Sequence, residues 1–150
     1  MMFHGVMVMK TKEQAQKLLT GIWHNQHNSQ MRIEVDETGK ITGCFMSGVN
    51  SQEDADATYP ITGFAVGDVF SFSVAFSNHG TITTWIGQFV EDGANSFEAS
   101  WQMVADAQQK KAQSWKSTWT GHDKFERGER SSNNCPGPKE ASHPFYCSIV

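Results

Sequence analysis

The sequence predicts an all-β fold, an eight-stranded antiparallel up-and-down β-barrel, and three observations carry that expectation. One face recurs with period two, through Met31, Ile33 and Val35, then Phe70, Phe72, Val74 and Phe76, then Thr81, Thr83, Trp85, Gly87 and Phe89, the mark of strands buried on one side. The breaks between these runs are short and carry turn residues: Asp36-Glu37-Thr38-Gly39, Val66-Gly67-Asp68, Ser77-Asn78-His79-Gly80 and Glu91-Asp92-Gly93-Ala94-Asn95. Turns that short join antiparallel neighbours. Finally, no long helical pattern interrupts the series, and closing such a sheet removes both exposed edges.

In chain order, residues 1–20 form a polar lead-in, in which Thr11 to Leu19 has room for about two helical turns, too few to be stable alone in water. Strands are expected near 21–27, 29–36, 40–47, 58–65, 69–77, 81–91, 95–104 and 112–120, so that 21–125 is the barrel. Gly48 to Thr58, rich in Asn, Ser, Asp and Glu, is longer than a hairpin turn needs, and such loops tend to act as lids. Ala105 to Ala112 reads as a surface connection. The tail, residues 126–150, holds three of the four prolines among Ser and Asn clusters and reads as disordered.

Composition narrows the class. A chain of 150 residues and 16.7 kDa suits one domain rather than two. Residues 21–125 carry six basic side chains against twelve acidic ones, which is not the footprint of a phosphate binder, so nucleic acid is excluded as a partner. No run approaches the length of apolar sequence that a membrane-spanning helix requires, and a membrane partner is not expected. No apolar stretch follows a basic one within Met1 to Lys17, so the address is cytoplasmic as written, or secreted if the true start lies elsewhere. Three cysteines cannot all pair within the chain, and only Cys44 falls in the periodic region. Cys135 and Cys147 could bridge in the tail or join His143 in a partial metal set, but the spacing is loose. No disulfide framework is expected to hold this fold, and unpaired tail cysteines with no metal site are the expectation.

The interior is more informative. With Trp23, Phe45, Phe72, Trp85 and Trp101 taken as inward, the same parity turns Asn25, Gly43, Ser47, Val74, Phe76, Thr81, Thr83 and Met103 inward. A dry core would not place Asn, Ser and Thr among aromatics, since each buried polar group without a partner costs about 1–3 kcal/mol. Polar groups converging in an aromatic cup describe a ligand site, and an eight-stranded barrel is just wide enough for one small ligand. The competing account is that these polar residues sit at the barrel mouths and meet water. His24 and His27 would fall on opposite faces of a strand, and His122-Asp123 lacks an accompanying nucleophile motif, so neither suggests catalysis. Phe70, Phe89 and Phe97 read as plain core.

Four collinear motifs carry a resemblance: Gly21-Ile22-Trp23-His24-Asn25-Gln26, Thr42-Gly43-Cys44-Phe45, Thr83-Thr84-Trp85-Ile86-Gly87-Gln88-Phe89, and Trp115-Lys116-Ser117-Thr118-Trp119-Thr120-Gly121-His122-Asp123-Lys124-Phe125. In order and spacing they resemble the avidin and streptavidin family, from about Gly21 to Phe125. The resemblance implies a non-enzymatic binder of biotin with no other cofactor, whose role could be to sequester the vitamin as a defence. It implies that Asn25 and Ser29 donate to the ureido oxygen and that Ser47 and Asp123 accept the ureido N–H groups. Thr83 would face the thioether sulfur, and Thr81 with Asn50 and Ser51 would meet the valerate carboxylate. Phe76, Trp85 and Trp101 would wall the bicyclic ring, and Trp115 would close the site of a neighbouring subunit in a homotetramer. Phe45 stands where the family usually has Tyr, so a third donor to the ureido oxygen is missing. The acidic lid residues Glu53, Asp54 and Asp56 match nothing in the pattern. A carbohydrate-binding β module, with aromatics on an outer face, and a carrier barrel of the lipocalin type, with an almost wholly apolar cavity, are the alternatives.

Overall fold

The computed structural model describes residues 18–48, 57–89, 95–106 and 117–130. The strands are β1 (Gly21–Asn25), β2 (Gln30–Val35), β3 (Lys40–Met46), β4 (Tyr59–Val66), β5 (Val69–Phe76), β6 (Thr81–Gln88), β7 (Ser96–Ala105) and β8 (Thr118–Arg127). Each pairs antiparallel with the next, and β1 pairs with β8, so the sheet closes into a barrel in sequence order. No helix among the described residues is long and apolar enough to cross a membrane.

The alternation that predicts the strands appears directly as burial. Along β4 buried and exposed residues alternate without a break from Tyr59 to Val66, and along β5 the buried set is Phe70, Phe72 and Val74. Turn chemistry then fixes the register. Between β2 and β3 the Asp36 carboxylate accepts from Thr38 N at 2.8 Å, Thr38 Oγ1 at 2.7 Å and Lys40 N at 3.0 Å, while Gly39 takes the positive φ of 87° that this turn requires. The hydroxyl of Thr38 and the amide of Lys40 hold the Asp36 carboxyl below the ordinary aspartate range.

Aromatics plug one half of the barrel. Trp23 meets Phe97 edge-on at 4.7 Å between centroids, Phe97 stacks on Phe125 at 4.9 Å, and Phe70 packs against Phe97 at 5.0 Å and Phe89 at 5.5 Å. Such pairs add to the area they bury. Leu19, from the lead-in, is fully buried with this cluster, and its carbonyl accepts the Trp23 indole N–H at 2.8 Å. The Arg127 guanidinium lies 4.2 Å above the Trp23 ring and donates to the carbonyls of Leu18 and Thr20. Burial lowers the Arg127 pKa.

Two expectations need correction. The last strand is Thr118–Arg127, not 112–120, so it takes in the second half of the last motif and the first two residues of 126–150, which pair with β1 as part of the barrel rather than of a tail. Cys44 is disulfide-bonded, not free: it stands on the outer side of β3 and is nevertheless buried, and linear spacing carries no record of what reaches an outer wall. Cys135 and Cys147, with His143 and the rest of 131–150, lie outside the described residues, as do the turn residues 90–94.

Candidate functional site

The half of the barrel not plugged by aromatics opens into a cavity of about 480 Å³, within the range usual for small-molecule sites. The β1–β2, β5–β6 and β7–β8 connections and the segment after β3 all leave the strands at this end.

Asn25 ends β1 and shapes the first rim. Its Oδ1 accepts the backbone N–H groups of His27 at 3.1 Å and Ser29 at 3.0 Å, a side-chain turn of the kind Asn favours, and Asn28 takes a positive φ of 61° to complete it. This leaves the Asn25 amide N–H₂ facing Asp123, with Nδ2 3.3 Å from Oδ2. Ser29 Oγ accepts Gly48 N at 3.0 Å, so its own proton remains for another acceptor. The two contacts tie the β1–β2 turn to β8 and to the end of β3.

Asp123, only 3% exposed, reaches inward from β8. Its Oδ2 accepts the Trp85 indole N–H at 2.8 Å as well as Asn25, and its Oδ1 accepts Gln26 Nε2 at 3.0 Å. Three neutral donors stabilise the carboxylate without neutralising it, and a carboxylate offers about four acceptor positions, so one remains for a ligand donor. Among the described residues no buried side-chain nitrogen or oxygen lacks a partner.

Apolar walls complete the cup. Phe45 lies 5.2 Å from Trp85 and 5.7 Å from Phe76, and Trp85 stacks on Phe72 at 5.3 Å, which forms the floor toward the aromatic plug. Tyr59 packs edge-on against Phe76 and donates its hydroxyl to Asn78 Oδ1 at 2.9 Å, bracing the β5–β6 turn. Trp101 lies across Gly121, its register partner on β8, so closely that any Cβ there would enter the indole.

Of the residues singled out from sequence, Asn25, Ser29, Phe45, Ser47, Phe76, Thr81, Thr83, Trp85, Trp101 and Asp123 all line this one cavity. Asn50, Ser51 and Trp115 lie outside the described residues, as do Glu53, Asp54 and Asp56. Three lining residues, His27, His79 and Met103, were not among the predicted contacts. Parity could have found the histidines: His27 alternates with Asn25 and Ser29, and His79 with Thr81 and Thr83, but both lie in turns, where strand alternation is not counted. His122, adjacent to Asp123, points outward and pairs with Glu98 at 3.3 Å.

Comparison with known proteins bears on the fold and the family. The chain is similar to Fibropellin-1 of Strongylocentrotus purpuratus, 31% identical over 121 residues that take in 75% of this chain but only 11% of that protein. It therefore spans about a tenth of the length of that relative. Its fold is similar to the crystal structure of Xenavidin, with a TM-score of 0.62 and 27% identity, covering 73% of this chain and 96% of that one. The model of the Avidin family matches residues 13–128, which include every described strand, and the chain belongs to that family.

Proposed function

We propose that the protein binds biotin in this cavity, one molecule per chain and without turning it over. One observation carries the reading: the buried Asp123 carboxylate stands in the cavity wall beside Asn25 Nδ2, with the free hydroxyl proton of Ser29 on the same rim. A cyclic urea presents one carbonyl between two N–H groups. Asp123 and Ser47 then take the N–H groups, Asp123 as a charge-assisted acceptor, while Asn25 and Ser29 donate to the carbonyl. Thr83 faces the sulfur, Thr81 meets the acid tail with Asn50 and Ser51, and Phe76, Trp85 and Trp101 cover the ring system. Phe45 supplies an apolar wall and no donor. Aromatics that face inward do not suit a glycan platform, and a cavity with Asn, Ser, Thr and Asp in its lining does not suit a fatty-acid carrier.

The reading extends to assembly and setting. Phe64, Val66, Val69, Ile82, Ile86 and Val104 stand 45–66% exposed on the outer faces of β4 to β7, and apolar area of that kind marks a protein contact. A second copy is the occupant proposed, in a homotetramer in which Trp115 covers the neighbour's ligand. The Cys44 disulfide favours an oxidising compartment, hence secretion, over the cytoplasm, where sequestering biotin could serve defence. The test of binding is intrinsic fluorescence: Trp85 and Trp101 line the cavity, so biotin should quench or shift the emission saturably, whereas pentanoic acid, which shares the acid tail but lacks the urea, should not. No response to either compound would contradict the reading.

A further inference from the structure

Behind the Asp123 carboxylate stands a pair of residues that the ligand scheme does not use. Gln26 is clamped between the β1–β2 turn and β8: its Nε2 donates to Asp123 Oδ1 and to the His122 carbonyl, both at 3.0 Å, and its Oε1 accepts Lys124 N at 3.0 Å. His27, the next residue, places Nε2 3.9 Å from the same Oδ1 and 3.4 Å from Gln26 Nε2. It also lines the cavity, with about half of its side chain exposed to solvent. Asp123 is thus held by neutral donors and carries an imidazole at ion-pair distance on its solvent side.

We propose that His27 is a proton-dependent competitor for the Asp123 carboxylate, with Gln26 as the positioning residue that holds Oδ1 toward it, so that ligand affinity falls as the medium turns acid. The inference rests on the biotin reading and names its regulation. An imidazole charges between about pH 5 and pH 8. Neutral, it leaves the remaining acceptor position of Asp123 to the ligand N–H. Protonated, it forms an ion pair with Oδ1 and draws away the charge that the ligand hydrogen bond depends on. Among the described residues, the other titratable group lining the cavity is His79, from the β5–β6 turn. His122 and Lys124, although on the same strand as Asp123, point to the outer surface. Protonation of His79 attracts an acidic ligand tail and works in the opposite direction, so the sign of the pH effect separates the two histidines. Because His27 is half exposed, solvent screens the pair and limits the change to about two- to fivefold.

Linkage makes the reverse statement equally strict: if the proton weakens the ligand, the ligand must expel the proton. The experiment is calorimetric titration with biotin at the two ends of the imidazole range and, midway between them, in two buffers of different ionisation enthalpy, for the parent and for His27→Gln. The parent should bind about two- to fivefold more weakly at the acid end and should release protons midway. His27→Gln, whatever its absolute affinity, should lose both the slope and the proton release. Equal slopes in the two proteins, or tighter binding in acid, would overturn the role of His27 while leaving biotin binding intact. A parent with no saturable heat at either end would overturn the biotin reading and this inference with it.

Discussion

Asp123 was legible as a site residue only through the motif around it. Alternation on a strand expected at 112–120 stops short of it, a lone carboxylate in Gly-His-Asp-Lys-Phe looks like a surface charge, and the donors that make its burial tolerable come from β1, the β1–β2 turn and β6. Asp123→Ala should cost about 1.5–3 kcal/mol of biotin affinity, the worth of a hydrogen bond to a charged group, whereas Asp68→Ala, in the turn at the opposite end, should leave affinity unchanged; calorimetry on both variants decides it. Phe45 is the complementary case. Its ring is buried against Trp85 at the cavity wall, and Phe45→Tyr should tighten binding by about 0.5–1.5 kcal/mol if the hydroxyl reaches the ligand carbonyl. Weaker or unchanged binding would mean that the third donor position is already served.

Strands β2 to β7 lie close to where their alternation puts them, because the inward side of each holds at least one large apolar residue, and the β2–β3, β4–β5 and β5–β6 connections are short turns with their own chemistry. The last strand does not, for a physical reason. Its inward positions are Trp119, Gly121, Asp123, Phe125 and Arg127, and the glycine and the carboxylate between the two aromatics break the apolar face where the strand carries the candidate site. The glycine is there for Trp101, and Gly121→Ala should displace the indole and weaken biotin while the barrel stays folded; an unaltered affinity with an unaltered far-UV spectrum would contradict that account. The Asp36 turn tests a different part of the frame. Since the folded protein holds this carboxyl below its ordinary range, its contribution is present above the unfolded value and is lost as the pH falls through the folded one. Asp36→Ala should therefore lower the melting temperature at neutral pH, with the deficit shrinking in acid; a deficit independent of pH would point to lost turn geometry alone.

For the whole molecule, a barrel needs only the period, the short turns and a reason to close, and all three can be read in one dimension. What covers its outer wall cannot, since neither the disulfide of Cys44 nor the exposed face of β4 to β7 leaves a periodic trace. If a second copy covers Phe64 and Ile86, Ile86→Lys should reduce the mass found by light scattering without unfolding the chain, and a monomeric parent would remove the argument. The division of the interior into an aromatic plug and an open cup is what makes a ligand necessary to the account: the cup is wide, lined on several sides by hydrogen-bonding side chains, and braced from three directions at Asp123. Isothermal titration of the intact protein with biotin tests that most directly. The account predicts one saturable site per chain, with the ligand recovered unchanged; a flat titration together with an unmoved melting temperature would contradict it, because a ligand that binds only the folded state must stabilise it.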